Sequence, residues 1–92
     1  MNKGVHVYYS GWVHGVGFRF TAERAAASLG LKGWVKNTRD SRVEIMAEGK
    51  EAALNEFLQK MQSVFKTYIR DTDIEWSEAA GELDDFEIRF DD

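Results

Sequence analysis

The chain has 92 residues, 43% apolar and 30% charged, which is an ordinary composition for a soluble domain. It has no cysteine, which excludes disulfides, thiolate metal sites and a thiol nucleophile. The net charge is −4, so a broad surface for nucleic acid or anionic membrane is not expected. The apolar runs are too short for a membrane span and the first residues show no signal pattern. We therefore expect one domain over residues 1–92, located in the cytoplasm.

The first half of the chain predicts a strand, a helix and a hairpin. Apolar and polar residues alternate from Val5 to Val13, as in a strand. Gly30 stands where a glycine commonly ends a helix. The segments "LKGWVKN" and "RVEIMAEG" predict two strands joined by the turn "TRDS". Before Gly30, a helical stripe is formed by Phe18, Ala22, Ala25, Ala26 and Leu29.

The second half predicts one helix and two strands. The segments "TDIEWSEA" and "DFEIRF" predict strands, and we expect the latter to bury Phe86, Ile88 and Phe90. The order is βαββαβ with one extra strand. It favours an α+β, ferredoxin-like sandwich: an antiparallel sheet of four strands plus a short fifth, with two helices on one face. The apolar face of the second helix is formed by Ala53, Leu54, Phe57, Leu58, Met61 and Phe65.

The stretch "GWVHGVGFRF" (11–20) has the features of an anion-binding loop. Gly15 and Gly17 permit backbone angles that expose several N–H groups at the start of a helix. Arg19 adds a guanidinium that matches two phosphate oxygens, so a phosphate monoester or an acyl phosphate fits this loop best. From these residues alone, a tight turn followed by a solvated arginine is the competing and more common interpretation.

The sequence predicts neither a metal site nor a surface on which bases stack. It has only two histidines, His6 and His14, and neither has a ligand-spaced partner, so no metal site is expected. The tryptophans at 12, 34 and 76 are expected to be packing or half-exposed residues.

Two segments resemble the signatures of the acylphosphatase family. "GWVHGVGFR" (11–19) is similar to the family's G-x-V-Q-G-V-x-F-R loop, and "GWVKNTRDSRVEIMAEG" (33–49) is similar to its G-[aromatic]-V-x-N hairpin. The resemblance implies a small monomeric hydrolase that cleaves carboxyl-phosphate anhydrides without a metal or cofactor. It implies that Arg19 is the catalytic phosphate-binding arginine and that Asn37 orients the attacking water. It also implies a phosphate cradle formed by His14, Gly15, Val16, Gly17, Phe18 and Arg19.

Two residues depart from the family's pattern. His14 stands where the family usually has glutamine, and since the loop acts largely through backbone N–H groups, we expect the pH dependence to differ more than the activity. Ser41 stands where the family usually has glycine. If that position requires a positive φ, the serine there is strained by roughly 1 kcal/mol.

The hydrolysis of an acyl phosphate requires few catalytic groups. Its carboxylate leaves unprotonated, because the conjugate acid has a pKa of about 4. The site must hold the phosphoryl group, neutralise its charge and place a water in line, and the substrate's own phosphate is expected to take the proton. Cysteine-dependent phosphatases also use a loop that ends with arginine, and their nucleophile stands six residues before it. In this chain that position is Val13, which cannot attack.

Two other functions remain open at this level. The first is a non-catalytic ferredoxin-like domain that binds a phosphorylated metabolite in the same loop. The second is an RNA-binding module of the same element order. It is disfavoured because "RVEIMAEG" has no aromatic residue and two glutamates.

Overall fold

The computed structural model describes residues 2–90 and gives five strands and two helices within them. In chain order the elements are β1 (Asn2–Gly11), α1 (Phe18–Ser28), β2 (Lys32–Asn37), β3 (Val43–Lys50), α2 (Glu51–Val64), β4 (Ile69–Glu78) and β5 (Phe86–Ile88). The element order is that predicted from the sequence. Asp91 and Asp92, for which the sequence suggested no role, lie outside the described residues.

The strands form one sheet in the order β4-β1-β3-β2-β5. β1 pairs antiparallel with β3 and β4, and β2 pairs antiparallel with β3. β5 pairs with β2 in parallel, so the sheet is mixed and the prediction of an antiparallel sheet is wrong for this strand. β4 runs opposite to β2. The chain turns back at the end of β4 and crosses to the far edge of the sheet, so β5 runs in the same direction as β2.

A buried carboxylate holds the segment that crosses from β4 to β5. Glu48 of β3 is only 7% exposed, and it accepts hydrogen bonds from the backbone N–H groups of Ala80 (2.9 Å) and Gly81 (3.3 Å). A buried charge is tolerated when hydrogen bonds satisfy it in this way. This contact anchors the segment that leads to β5, the edge strand that contacts α1.

Both helices cover one face of the sheet. The alternation of β1 places Val5, Val7 and Tyr9 in the core, and the predicted stripes of α1 and α2 pack onto that face. The Tyr9 ring lies 5.0 Å from that of Phe18, which in turn stacks on Phe65 at 4.4 Å. Phe18 is the first residue of α1, so this aromatic stack fixes the position at which the helix begins.

The C-terminal strand is shorter than predicted. β5 ends at Ile88, and the N–H of Arg89 donates to the carbonyl of Val35 at 2.8 Å. Phe86 is buried and Ile88 is half-buried, but Phe90 is 75% exposed, so the prediction that Phe90 is buried is wrong. The alternation of a strand applies only while the strand remains paired, and Phe90 follows the last pairing.

Candidate active site

The loop between β1 and α1 presents a row of unpaired backbone donors. Gly15 and Gly17 have φ angles of 74° and 78°, a region that favours glycine, and a Cβ at either position would meet no atom within 4 Å. Within residues 2–90, the N–H groups of residues 15–19 donate to no acceptor, and no side chain caps α1. These N–H groups at a helix N-terminus form a site suited to an anion.

The predicted residues Arg19 and Asn37 meet at this loop. A cavity of about 250 Å³ is lined by Val13, Gly15, Gly17, Phe18, Arg19, Phe20 and Asn37. Arg19 lies in the first turn of α1, and Asn37 is the last residue of β2, so the two reach the cavity from different elements. We call this cavity the cradle.

Asn37 has a buried acceptor without a partner. Its Oδ1 atom is shielded from solvent and accepts no hydrogen bond from any described residue. A buried polar atom without a partner costs about 1–3 kcal/mol, so it calls for an explanation such as strain, a bound water or ion, or a catalytic role. Asn37 lines the cradle together with Gly15, Gly17 and Arg19, so this unpaired acceptor belongs to a residue that adjoins any molecule bound there.

The side chains of His14 and Val16 lie away from the cradle. The Nε2–H of His14 donates to the carbonyl of Arg42 at 2.8 Å, and the imidazole therefore ties the loop to the hairpin between β2 and β3. Val16 is half-buried against the hydrophobic core. Of the predicted cradle residues, these two contribute to the loop through their backbone rather than through a side chain in the cavity.

The hairpin turn that receives His14 is held by its own side chains. Asp40 accepts hydrogen bonds from Thr38 Oγ1 and from Arg42 Nε (2.9 Å). The Arg42 guanidinium and then the Thr38 hydroxyl lower the pKa of Asp40 to about 2. Ser41 has a φ of 70°, so the positive φ suspected from the sequence is present. The turn thus combines a strained residue with a stabilising ion pair.

One neighbour of the site was not identified from the sequence. The Cζ atom of Arg19 lies 5.5 Å from the centroid of the Phe90 ring, so the exposed phenylalanine is placed against the predicted catalytic arginine. The polar–apolar alternation of "DFEIRF" predicted that Phe90 is a core residue. No local sequence pattern distinguishes a Phe90 in the core from a Phe90 beside Arg19, because the contact joins residues 71 positions apart in the chain.

Neither a metal-binding group nor a membrane helix is found in the part of the chain that the structure describes. Across residues 2–90, no three histidine, aspartate or glutamate side chains are grouped so that they could hold a metal ion. Over the same residues, neither helix is long and apolar enough to cross a membrane.

Sequence and structure comparisons both find relatives in the same family. The family model described as Acylphosphatase matches residues 5–88. The acylphosphatase of Caldanaerobacter subterraneus subsp. tengcongensis is 34% identical, covering 96% of this chain and 99% of that protein. That of Anaeromyxobacter dehalogenans is 39% identical over 91% of each. Among solved structures, the acylphosphatase from Bacillus subtilis superposes with a TM-score of 0.86 at 33% identity, covering 95% of this chain and 98% of that one.

Proposed function

Because the chain belongs to the acylphosphatase family, we propose that the cradle, Arg19 and Asn37 form its catalytic site. Membership confirms the resemblance drawn from the two motifs. The chain is an enzyme that hydrolyses acyl phosphates to a carboxylate and inorganic phosphate. In the proposed mechanism, the loop N–H groups, Arg19 and Asn37 act directly on the substrate and the attacking water.

The loop and Arg19 bind the phosphoryl group. The N–H groups of residues 15–19 donate to its equatorial oxygens, and the guanidinium of Arg19 neutralises their charge. Preorganised donors of this kind stabilise the charge that develops during phosphoryl transfer without having to reorient. The unpaired N–H groups of the loop support this assignment.

Asn37 positions the water. Its Oδ1 accepts a hydrogen bond from the water, which leaves a lone pair of the water oxygen directed at phosphorus. As the new P–O bond forms, the bond to the acyl oxygen breaks and the carboxylate leaves with its electron pair. The proton of the water passes to a phosphate oxygen. The single observation that supports this mechanism is the buried, unpaired Oδ1 of Asn37, a residue that lines the cradle.

The alternative, a non-catalytic domain that binds a phosphorylated metabolite, would use the loop and Arg19 alone. It would have no use for the unpaired acceptor of Asn37. We also propose that the enzyme is monomeric, and that it is formed by one domain because the strands of residues 2–90 form one sheet. Sedimentation velocity checks the oligomeric state. The cytoplasmic location stays a prediction.

Kinetics with benzoyl phosphate test the two assignments. We expect Arg19→Gln to lower kcat/KM by about 100-fold or more, and Asn37→Ala to lower kcat by about 100-fold with little change in KM. The matched controls are Arg24→Gln on the exposed side of α1 and Asn55→Ala on the exposed side of α2, which should retain wild-type rates. Retention of more than about a tenth of the activity by Arg19→Gln, or loss of wild-type activity on addition of a chelator, would contradict the mechanism.

A further inference from the structure

β4 forms a long, unpaired edge of the sheet. The strand has 10 residues and pairs only with β1, so the backbone groups on its outer side have no strand partner within residues 2–90. The opposite edge strand, β5, has only 3 residues. A long unpaired edge is a template on which another strand can pair, and proteins commonly shorten, cover or charge such edges. β4 is neither short nor covered, because every residue from Arg70 to Glu78 is exposed. We call its outer side the open edge.

Two large apolar side chains lie along one face of the open edge. Ile74 and Trp76 pair with buried valines of β1, so they project from the sheet face that the helices cover. However, α2 packs mainly on β1 and β3, and it meets β4 through the hydrogen bond from Thr72 Oγ1 to Gln62 Oε1 at 3.2 Å. Ile74 and Trp76 therefore remain 41% and 42% exposed. Neighbouring apolar side chains of this kind, beside unpaired backbone groups, are typical of a surface that binds another polypeptide.

The other face of β4 carries a row of carboxylates. Asp71, Asp73 and Glu75 alternate with the residues of the apolar face. Over the whole strand, four acidic residues and one arginine give a net charge of −3. Asp71 contacts Arg70 at 3.6 Å, but neither Asp73 nor Glu75 forms an ion pair or a side-chain hydrogen bond among residues 2–90. These two carboxylates are therefore available to a cation that approaches the open edge.

A second copy of the chain does not complement this edge. Residues directly opposite each other in an antiparallel pair share a face of the sheet. Two β4 strands paired about Ile74 would place Asp73 of each copy opposite Glu75 of the other. Pairing about Asp73 or about Glu75 would place that carboxylate opposite its own copy. Like charges directly opposite each other destabilise a strand pair, so the carboxylates disfavour self-pairing but not pairing with a basic chain.

We propose that the open edge binds a partner polypeptide, which adds to β4 as an extended strand in which lysine or arginine alternates with apolar residues. The backbone of that segment pairs with the outer side of β4. Because strand side chains alternate between the two faces, its basic side chains lie beside Asp73 and Glu75, and its apolar side chains lie beside Ile74 and Trp76. None of the cradle residues belongs to β4, so this interaction is separate from the proposed catalysis.

A synthetic peptide tests the proposal. The peptide has the length of β4, 10 residues, alternates lysine with valine, and is titrated into the isotope-labelled full chain at low ionic strength. One comparison peptide has glutamate in place of lysine, and another has the same composition with all lysines before all valines. We expect the alternating lysine peptide to bind about tenfold tighter than either comparison peptide. The amide shifts should be confined to β4 and β1, and hydrogen exchange should slow at the outward N–H groups of β4.

Charge reversal at the open edge separates strand addition from general attraction to an acidic protein. We expect Asp73→Lys combined with Glu75→Lys to weaken binding of the lysine peptide by about tenfold or more and to favour the glutamate peptide. The matched control combines Glu56→Lys with Asp84→Lys, two exposed positions outside β4, and changes the net charge by the same amount. It should retain most of the affinity. Cooperative urea unfolding checks that each variant is folded.

Each outcome decides for or against the open edge. Absence of binding, equal binding of either comparison peptide, or amide shifts outside β4 and β1 overturns the proposal. Equal losses in the two charge-reversed variants also overturn it, because net charge alone would then explain the binding. Sedimentation that shows the wild type dimerising through β4 would assign the edge to a second copy instead. Affinity that falls only in the β4 variant, with shifts confined to the two strands, supports the proposal.

Discussion

The guanidinium of Arg19 lies over the ring of Phe90, with Cζ 5.5 Å from the ring centroid. Arg19 belongs to the first turn of α1, and Phe90 follows β5, an element against which α1 packs. A cation over an aromatic face is attracted by the ring's quadrupole. Phe90 thus restricts the orientations that the guanidinium adopts at the cradle, and we infer that it acts as a positioning residue.

Replacing Phe90 should weaken catalysis without weakening the fold. We expect Phe90→Ala to lower kcat/KM by about two- to fivefold, because an exposed cation–π contact contributes about 0.5–1 kcal/mol. Phe90→Tyr keeps an aromatic face and should retain wild-type activity. Since Phe90 is 75% exposed, the urea midpoint should stay unchanged in both variants. Equal kcat/KM for the alanine variant and the wild type would show that the contact has no catalytic effect.

The effect on activity of a substitution at position 14 should depend on whether the new side chain keeps one hydrogen bond. Glutamine also offers a side-chain N–H, so we expect His14→Gln to keep the contact to the Arg42 carbonyl and to retain activity. His14→Ala removes that donor, and we expect kcat/KM to fall by about two- to tenfold as the loop loosens from the hairpin. Comparable losses in both variants would mean that the imidazole ring itself is needed.

Ser41 is a site where stability can be gained. Its φ of 70° is accessible to glycine at no steric cost, so Ser41→Gly should raise the free energy of unfolding by about 0.5–1 kcal/mol. Ser41→Ala retains the steric conflict and serves as the control, with no such gain expected. Urea denaturation at neutral pH measures both variants. A glycine variant no more stable than the alanine variant would be inconsistent with strain at this residue.

Tyr9 carries a hydroxyl that the core does not satisfy. The residue is 1% exposed, its OH has no partner among the described residues, and burial raises the pKa of its phenol. Removing an unpaired buried hydroxyl avoids its desolvation cost, so Tyr9→Phe should raise the free energy of unfolding by about 1 kcal/mol.

The raised pKa of Tyr9 means that the wild type loses stability above about pH 10, where the unfolded chain ionises first. Tyr9→Phe should lack that alkaline loss, and a destabilised variant would indicate an unseen partner.

The carboxylate of Asp40 should stabilise the folded state at neutral pH but not at strongly acidic pH. Its pKa is lowered from 3.8 to about 2 in the folded chain, chiefly by Arg42, so the folded state favours the carboxylate. That contribution is present above about pH 4 and disappears as the pH falls towards 2. We expect Asp40→Asn to be less stable than the wild type at pH 7, with the gap narrowing progressively below pH 4. Urea titrations across this range would detect the convergence, and a gap that does not change with pH would argue against the ion pair.

Most features of the proposed site could be predicted from the sequence because they are local. The glycines at 15 and 17 determine the backbone of the loop, and the helix that starts at Phe18 leaves the loop's N–H groups without partners. The position of Asn37 at the end of a strand also followed from alternation in the hairpin. These features depend on residues a few positions apart, and patterns at that range can be read directly from the chain.

The order of the amino acids by itself therefore determined the order of the helices and strands, the glycine-rich loop before α1 and the family. Tertiary structure alone decided that β5 pairs in parallel with β2 and that Phe90 leaves the core to lie beside Arg19. Each of these contacts joins residues that are far apart in the chain. Their geometry depends on how the whole sheet and its helices pack, because no local backbone preference specifies which distant segments meet.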